Sequence, residues 1–250
     1  PGVPGWLGVM TCVVLVLLAQ AGLAEWNREE AMRKARSNMV RIIEADVTAT
    51  ATAIGRSQLR PEVLKAMEKV PRHEFVPEEE QPAAYLNMPL PIGYGQTISQ
   101  PYIVALMTDL LAPTPQSKVL EIGSGSGYQA AVLSLLVKEV HTLEIIPPLA
   151  EQCRQRLKRL GFTNVHVHEG DGYYGLDAEK PFDGIVVTAA ASYIPPPLIR
   201  QLKPGGRMVI PVGSPFAIQY LMLVEKDLQG EISTRQVLPV RFVPLTGDRD

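Results

Sequence analysis

The spacing of apolar residues changes character three times along the chain. Residues 6 to 24 carry no charge and close in small residues ahead of Glu25, the pattern of a secretory apolar core followed by a cleavage site. From Trp26 to about Asp46 the chain turns charged, and Met32, Met39, Val40 and Ile43 fall near helical spacing, which predicts a packing helix. The alternating Thr and Ala from Thr48 to Ala53 read as a small-residue connector. Pro61 then suits the first turn of a helix running through Val70. Residues 71 to 100 are rich in Pro and Gly, and a loop of that length inside a compact domain is expected to carry function.

After Pro101 short apolar runs alternate with helical stretches. Strands are expected at Val119–Ile122, Glu139–Ile145, Val165–His168, Asp183–Thr188 and Arg207–Val212, and helices at Tyr128–Val137, Pro148–Leu160 and Pro195–Leu202. A terminal hairpin is expected from Gln219–Lys226 and Gln236–Val243 around Gly230. Strands alternating with helices predict an α/β fold, a doubly wound and mainly parallel sheet covered on both faces, ending in an antiparallel hairpin. In such sheets the ligand sits beyond the carboxyl ends of the strands. The organisation expected is a leader or anchor over residues 1–24 and a single domain over 25–250. Within that domain, residues 25–100 would form helices and a covering loop, and 101–250 the ligand-binding core.

Bulk properties narrow the chemistry. At 250 residues, with 46% hydrophobic and 20% charged, the chain suffices for one sizeable core. A net charge of -2 lacks the basic footprint that binding to a phosphate backbone requires, so no nucleic-acid partner is expected. Cys12 lies in the leader, which leaves Cys153 without an internal disulfide partner after cleavage. His73, His141, His166 and His168 are too scattered for a zinc signature, and no metal is expected.

The glycine-rich run Gly123-Ser-Gly125-Ser-Gly127 follows a strand and opens a helix, so its backbone can turn sharply and approach a ligand without interference from Cβ. A dinucleotide fingerprint would place glycine at position 128, which is Tyr128. Three further positions recur at successive strand ends. Glu144 stands where a carboxylate can accept from both ribose hydroxyls. Asp171 in Gly170-Asp-Gly172 stands where an adenine amino group could donate, and Thr188 opens a loop of small residues. Each acid alone could be a solvated loop residue; the recurrence points to a cofactor pocket.

The pattern resembles the class I S-adenosylmethionine methyltransferases, and more closely the protein-L-isoaspartate O-methyltransferase family. The most specific stretch is PIGYGQTISQPY, residues 91 to 102. It is supported by VPRHEFV at 70–76, VLEIGSGSGY at 119–128, FDGIVVTAA at 182–190, PVG at 211–213 and RFVPL at 241–245. The resemblance covers about residue 30 to the C-terminus. It implies a seven-stranded Rossmann-like sheet, S-adenosyl-L-methionine as cofactor, and damaged, isoaspartyl-containing proteins and peptides as substrates, whose ester then expels its alcohol through a succinimide. By the same resemblance Ser99 is the active-site residue, and Gln96, Thr97, Ile98 and Ser99 lie over the cofactor. Gly123, Ser124, Gly125 and Gly127 pass beneath its methionine end, Glu144 binds ribose, Asp171 and Gly172 face the adenine, and Thr246 closes the pocket.

Two features depart from the family pattern: the export-like leader and the stretch from Thr48 to Ile54 after the first helix. The leader favours the periplasm or a membrane anchor, with membrane contact only through an uncleaved N-terminal segment, whereas the family is ordinarily cytoplasmic. A monomer is the expectation, although the residues leave oligomeric state unknown. Other readings are a different S-adenosylmethionine-dependent methyltransferase, an NAD-dependent dehydrogenase, or a non-catalytic binding domain. Against a base or amide N-methyltransferase, the fourth strand is followed by Thr188-Ala-Ala-Ala191 rather than Asn/Asp-Pro-Pro-aromatic, and Pro195-Pro-Pro197 comes too late.

Overall fold

The computed structural model describes residues 6–214 and 217–247, with side chains from Trp26 onward. The leader expectation over residues 1–24 lies outside the residues whose side chains are described. Among the described residues no helix is long and apolar enough to cross a membrane.

Helix α1 (Trp6–Ala49) runs on into the stretch expected to be a connector, and after a turn at Thr50 the short α2 (Ala51–Ile54) takes up the rest. Two causes override the expected break. Met39, Ile43 and Val47 are buried at four-residue intervals, so packing sustains the helix. The hydroxyls of Thr48 and Thr50 donate to the carbonyls of Glu44 and Asp46 one turn back and so do not compete for a turn. Helix α3 (Pro61–Lys69) begins on proline, as expected.

The long Pro- and Gly-rich stretch is more ordered than its composition suggests. It holds two 3-10 turns, Arg72–Phe75 and Glu78–Ala83, and a hairpin of β1 (Leu90–Gly93) and β2 (Gln96–Ile98). Helix α4 (Pro101–Leu110) was not expected at all, because its ten residues show no polar face. Every one of them is buried, as befits a helix enclosed on all sides. Its two polar interior residues are both satisfied. Thr108 Oγ1 accepts from Gln129 at 2.8 Å, and Asp109 accepts from the Arg60 backbone N–H at 2.9 Å, from Arg60 Nε at 3.1 Å, and from Arg56.

The core elements alternate, with two 3-10 turns in place of an α-helix between β5 and β6: β3 (Lys118–Ile122), α5 (Tyr128–Ser134), β4 (Glu139–Glu144), α6 (Pro147–Arg159), β5 (Val165–Glu169), β6 (Phe182–Val187), α7 (Pro196–Gln201) and β7 (Leu202–Val212). They close with β8 (Gln219–Lys226) and β9 (Ile232–Val240). The sheet order is β5-β4-β3-β6-β7-β8-β9, parallel from β5 to β7 and antiparallel for the last two pairs. This is the doubly wound sheet with a C-terminal hairpin that the alternation predicts. β3 pairs with β4 on one side and with β6 on the other, so the order reverses there and opens a crevice beyond the ends of β3 and β6.

Replacing the buried Asp109 with alanine would leave Arg56 and Arg60 without their carboxylate. Asp109→Ala is expected to cost about 3 kcal/mol, read as a lowered midpoint in urea unfolding; an unchanged midpoint would show that α4 is held by apolar packing alone.

Candidate active site

Residues from six segments converge on that crevice and line a pocket: Gln96 and Thr97 of the hairpin, Gly123 and Gly125 after β3, Glu144 at the end of β4, Gly172, Thr188 after β6, and Val243 to Thr246 of the C-terminal segment. Its floor is braced in three ways. Thr188 Oγ1 donates to the carbonyls of Ile122 and Gly123 at 2.9 and 2.7 Å. Gly123 has φ +91°, and a Cβ there would stand 2.6 Å from that hydroxyl, so glycine is required on both counts. Glu144 accepts the Gly125 N–H on one carboxylate oxygen at 2.9 Å and the Ile146 N–H on the other at 3.0 Å. Each oxygen retains a lone pair for a ligand hydroxyl.

A second cavity lies under the same loop and includes Ile98, Ser99, Glu121, Ser124 and Gln129. Glu121 is fully buried, and burial pushes its carboxyl up to about 8. Its Oε2 accepts from Thr142, whose hydroxyl also meets that of Ser124 at 2.7 Å. Glu121 Oε1 and Gln129 Oε1 have no partner among the described residues. A wider open groove runs from Ser99 and Gln100 to Arg241 and Phe242. Thr97 and Thr188 border all three spaces.

Ser99 is positioned from behind by Arg72, a fully buried cation. Its guanidinium donates to the carbonyls of Ser99 and Ala84 at 2.8 Å each and lies 4.8 Å from the centroid of the Tyr128 ring. Burial lowers its pKa to about 10, so it remains charged at neutral pH.

The expected site residues therefore fall into groups. Gln96, Thr97, Gly123, Gly125, Glu144, Gly172 and Thr246 meet in the first pocket, and Ile98, Ser99 and Ser124 in the cavity beside it. Gly127 lines neither; it is buried at the N-cap of α5 and sets the loop's exit. The Asp171 carboxylate caps its own turn, accepting the Tyr173 N–H at 2.9 Å. Sequence reasoning assigned no role to Arg72, Glu121 or Gln129, and placed Thr188 only at a strand end. The histidines meet more closely than their spacing suggests. His141 Nδ1 lies 3.1 Å from His168 Nε2, and the His166 ring packs against that of His141. Among the described residues no group of three or more His, Cys, Asp or Glu side chains is placed to hold a metal ion.

Residues 52–250 match the family model of protein-L-isoaspartate(D-aspartate) O-methyltransferase. The chain belongs to this family. It is 60% identical over 235 residues to protein-L-isoaspartate O-methyltransferase 2 of Syntrophobacter fumaroxidans, covering 94% of this chain and 95% of that one. It is 63% identical over 211 residues to protein-L-isoaspartate O-methyltransferase 2 of a Polaromonas species, covering 84% of this chain and all of the other. A solved protein-L-isoaspartate O-methyltransferase superposes with a TM-score of 0.74 at 29% identity, over 85% of this chain and 66% of its own. Among the readings the sequence left open, family membership selects the methyltransferase: an S-adenosylmethionine-dependent enzyme acting on isoaspartyl residues.

The raised pKa of Glu121 makes a testable contribution to stability. Below about 4.5 its carboxyl is protonated folded or unfolded; between about 4.5 and about 8 the unfolded chain ionises it while the folded chain holds the proton. Stability from this group therefore falls as pH rises through that window. In Glu121→Gln the decline should flatten, as measured by urea unfolding of the cofactor-free protein at a series of pH values. An identical pH slope in the variant would rule Glu121 out as its source.

Proposed function

We propose that Ser99 orients the free carboxylate of the isoaspartyl substrate at the junction of the three spaces, where Thr97 and Thr188 stand. The observation that carries this is the shared border: Ser99 lines both the open groove and the cavity beneath the glycine loop. A substrate approaching through the groove meets the cofactor side along Thr97 and Thr188, beside Ser99.

The residues suit the cofactor in chemistry. Glu144 offers two oxygens to a ribose diol while still holding the loop. The Gln129 Oε1, without a partner among the described residues and beside the buried Glu121, offers an acceptor to the ammonium of the methionine end. Gly123, Ser124 and Gly125 would pass beneath that end, with Gly127 fixing the loop behind them. Asp171 and Gly172 would face the adenine; the capped Asp171 keeps acceptor capacity for an amino group. Gln96, Thr97 and Ile98 would cover the cofactor, and Thr246 would close it in.

Held by these residues, S-adenosylmethionine would supply a methyl group activated by its positively charged sulfur. No residue need remove a proton, because an α-carboxyl group, which ordinarily titrates at about 3.3–3.7, is already ionised at neutral pH. The protein's part is placement, and near-attack geometry can supply roughly 7–11 kcal/mol. Ser99 therefore acts as a hydrogen-bond donor, not as a covalent nucleophile. Its carbonyl is fixed by Arg72, which leaves the hydroxyl as the adjustable contact.

Tritiated methyl transfer to paired peptides differing only in Asp or isoaspartate tests the reading. Base-labile label is expected on the isoaspartyl peptide and little on its partner. In Ser99→Ala, turnover should fall by the equivalent of about 1–3 kcal/mol with cofactor binding retained. Equal labelling of both peptides would reject the substrate assignment, and an unchanged rate in the variant would return Ser99 to the role of a turn residue.

A further inference from the structure

The groove that leads to Ser99 carries one unexplained charge. Among the described residues its lining is otherwise uncharged, from Pro89 and Ile103 on one wall to Ile218 and Pro239 on the other, and Arg241 is the exception. Arg241 is exposed and makes no hydrogen bond or ion pair with any of the described residues. No described carboxylate lines the groove beside it.

Its backbone is nonetheless tightly held. The neighbouring Phe242 is gripped from both sides by the buried Gln219 side chain, whose Oε1 accepts the Phe242 N–H at 2.6 Å and whose Nε2 donates to the Phe242 carbonyl at 3.1 Å. Beyond it, Ala190 donates to the Val243 carbonyl and accepts the Leu245 N–H, each at 2.8 Å. This cation, unpaired among the described residues, thus extends from a fixed anchor over the groove proposed for the substrate. A guanidinium left unpaired beside an uncharged cleft is arranged for an arriving anion.

We propose that Arg241 is a specificity residue that pairs with the very carboxylate of the substrate that receives the methyl group, an inference that rests on the function proposed above. The substrate carboxylate is an anion and its methyl ester is neutral, so the attraction operates on the substrate and vanishes in the product. Arg241 thereby favours binding of what is to be methylated over retention of what has been. Because the site is open to solvent, the contribution is modest and screened by salt.

Steady-state kinetics on an isoaspartyl peptide with uncharged flanking residues tests this in the full-length protein. Arg241→Gln is expected to raise KM by roughly two- to fivefold at low salt, with kcat nearly unchanged and calorimetric affinity for S-adenosylhomocysteine preserved. Arg241→Lys should recover most of the loss. Raising salt from about 50 mM to about 500 mM should raise KM for the wild type and leave that of Arg241→Gln nearly constant. Inhibition by the same peptide carrying an α-carboxamide, a neutral group without the ester's ready leaving alcohol, should be equal in the wild type and Arg241→Gln. An unchanged KM in Arg241→Gln, a wild-type KM indifferent to salt, or a loss falling on kcat with no rescue by lysine would each overturn the inference. A wild type that leaves the isoaspartyl peptide unmethylated would instead overturn the function on which it rests.

Discussion

Arg72 is a cation taken out of water with backbone carbonyls as its hydrogen-bond partners and an aromatic face beside it. Removing a charge from water is costly unless it is compensated by hydrogen bonds, so the carbonyls of Ala84 and Ser99 are constrained to stay where the guanidinium can reach them. Those carbonyls belong to the middle and the end of the stretch that covers the site. A stretch rich in glycine and proline, built of two 3-10 turns and a short hairpin, thereby acquires a fixed position over the sheet. The orientation of Ser99 depends on this internal charge more than on the short hairpin in which it ends.

The floor of the pocket follows a different logic, in which neutral dipoles and one carboxylate brace each other. Glu144 holds the glycine loop from the β4 side, and Thr188 holds it from the β6 side. The loop sits where the strand order reverses, and there both neighbours of β3 present their ends to it. Its shape is therefore set before any ligand arrives, which limits the ordering cost of binding.

What could be read from residue order tracks how local each cause is. The glycine loop, Glu144 and Gly172 were legible because turn geometry and strand-end position are dictated by adjacent residues. The parallel sheet was legible because buried strands announce themselves as short apolar runs. Helix α4 was not, since a segment buried on every side has no periodicity to detect. Arg72, Glu121 and Gln129 read as ordinary polar residues because their environments are made by segments remote in the chain. The connector at Thr48–Ala53 became helix because Met39, Ile43 and Val47 found partners that local propensity does not report. Asp171 shows the reverse case, a residue expected to face a ligand whose carboxylate first satisfies a local N–H.

The C-terminal segment beyond β9 has a consequence for assembly. Val243 to Thr246 form a wall of the pocket opposite Gln96 and Thr97, yet they reach it only after β8 and β9 have added antiparallel to the far side of β7. A chain emerging from the ribosome thus builds its sheet centre early and its binding pocket late. Contacts between such distant residues form slowly. Until then a nascent molecule has the glycine loop but lacks the enclosure, so the capacity to retain cofactor arrives with the completion of the sheet.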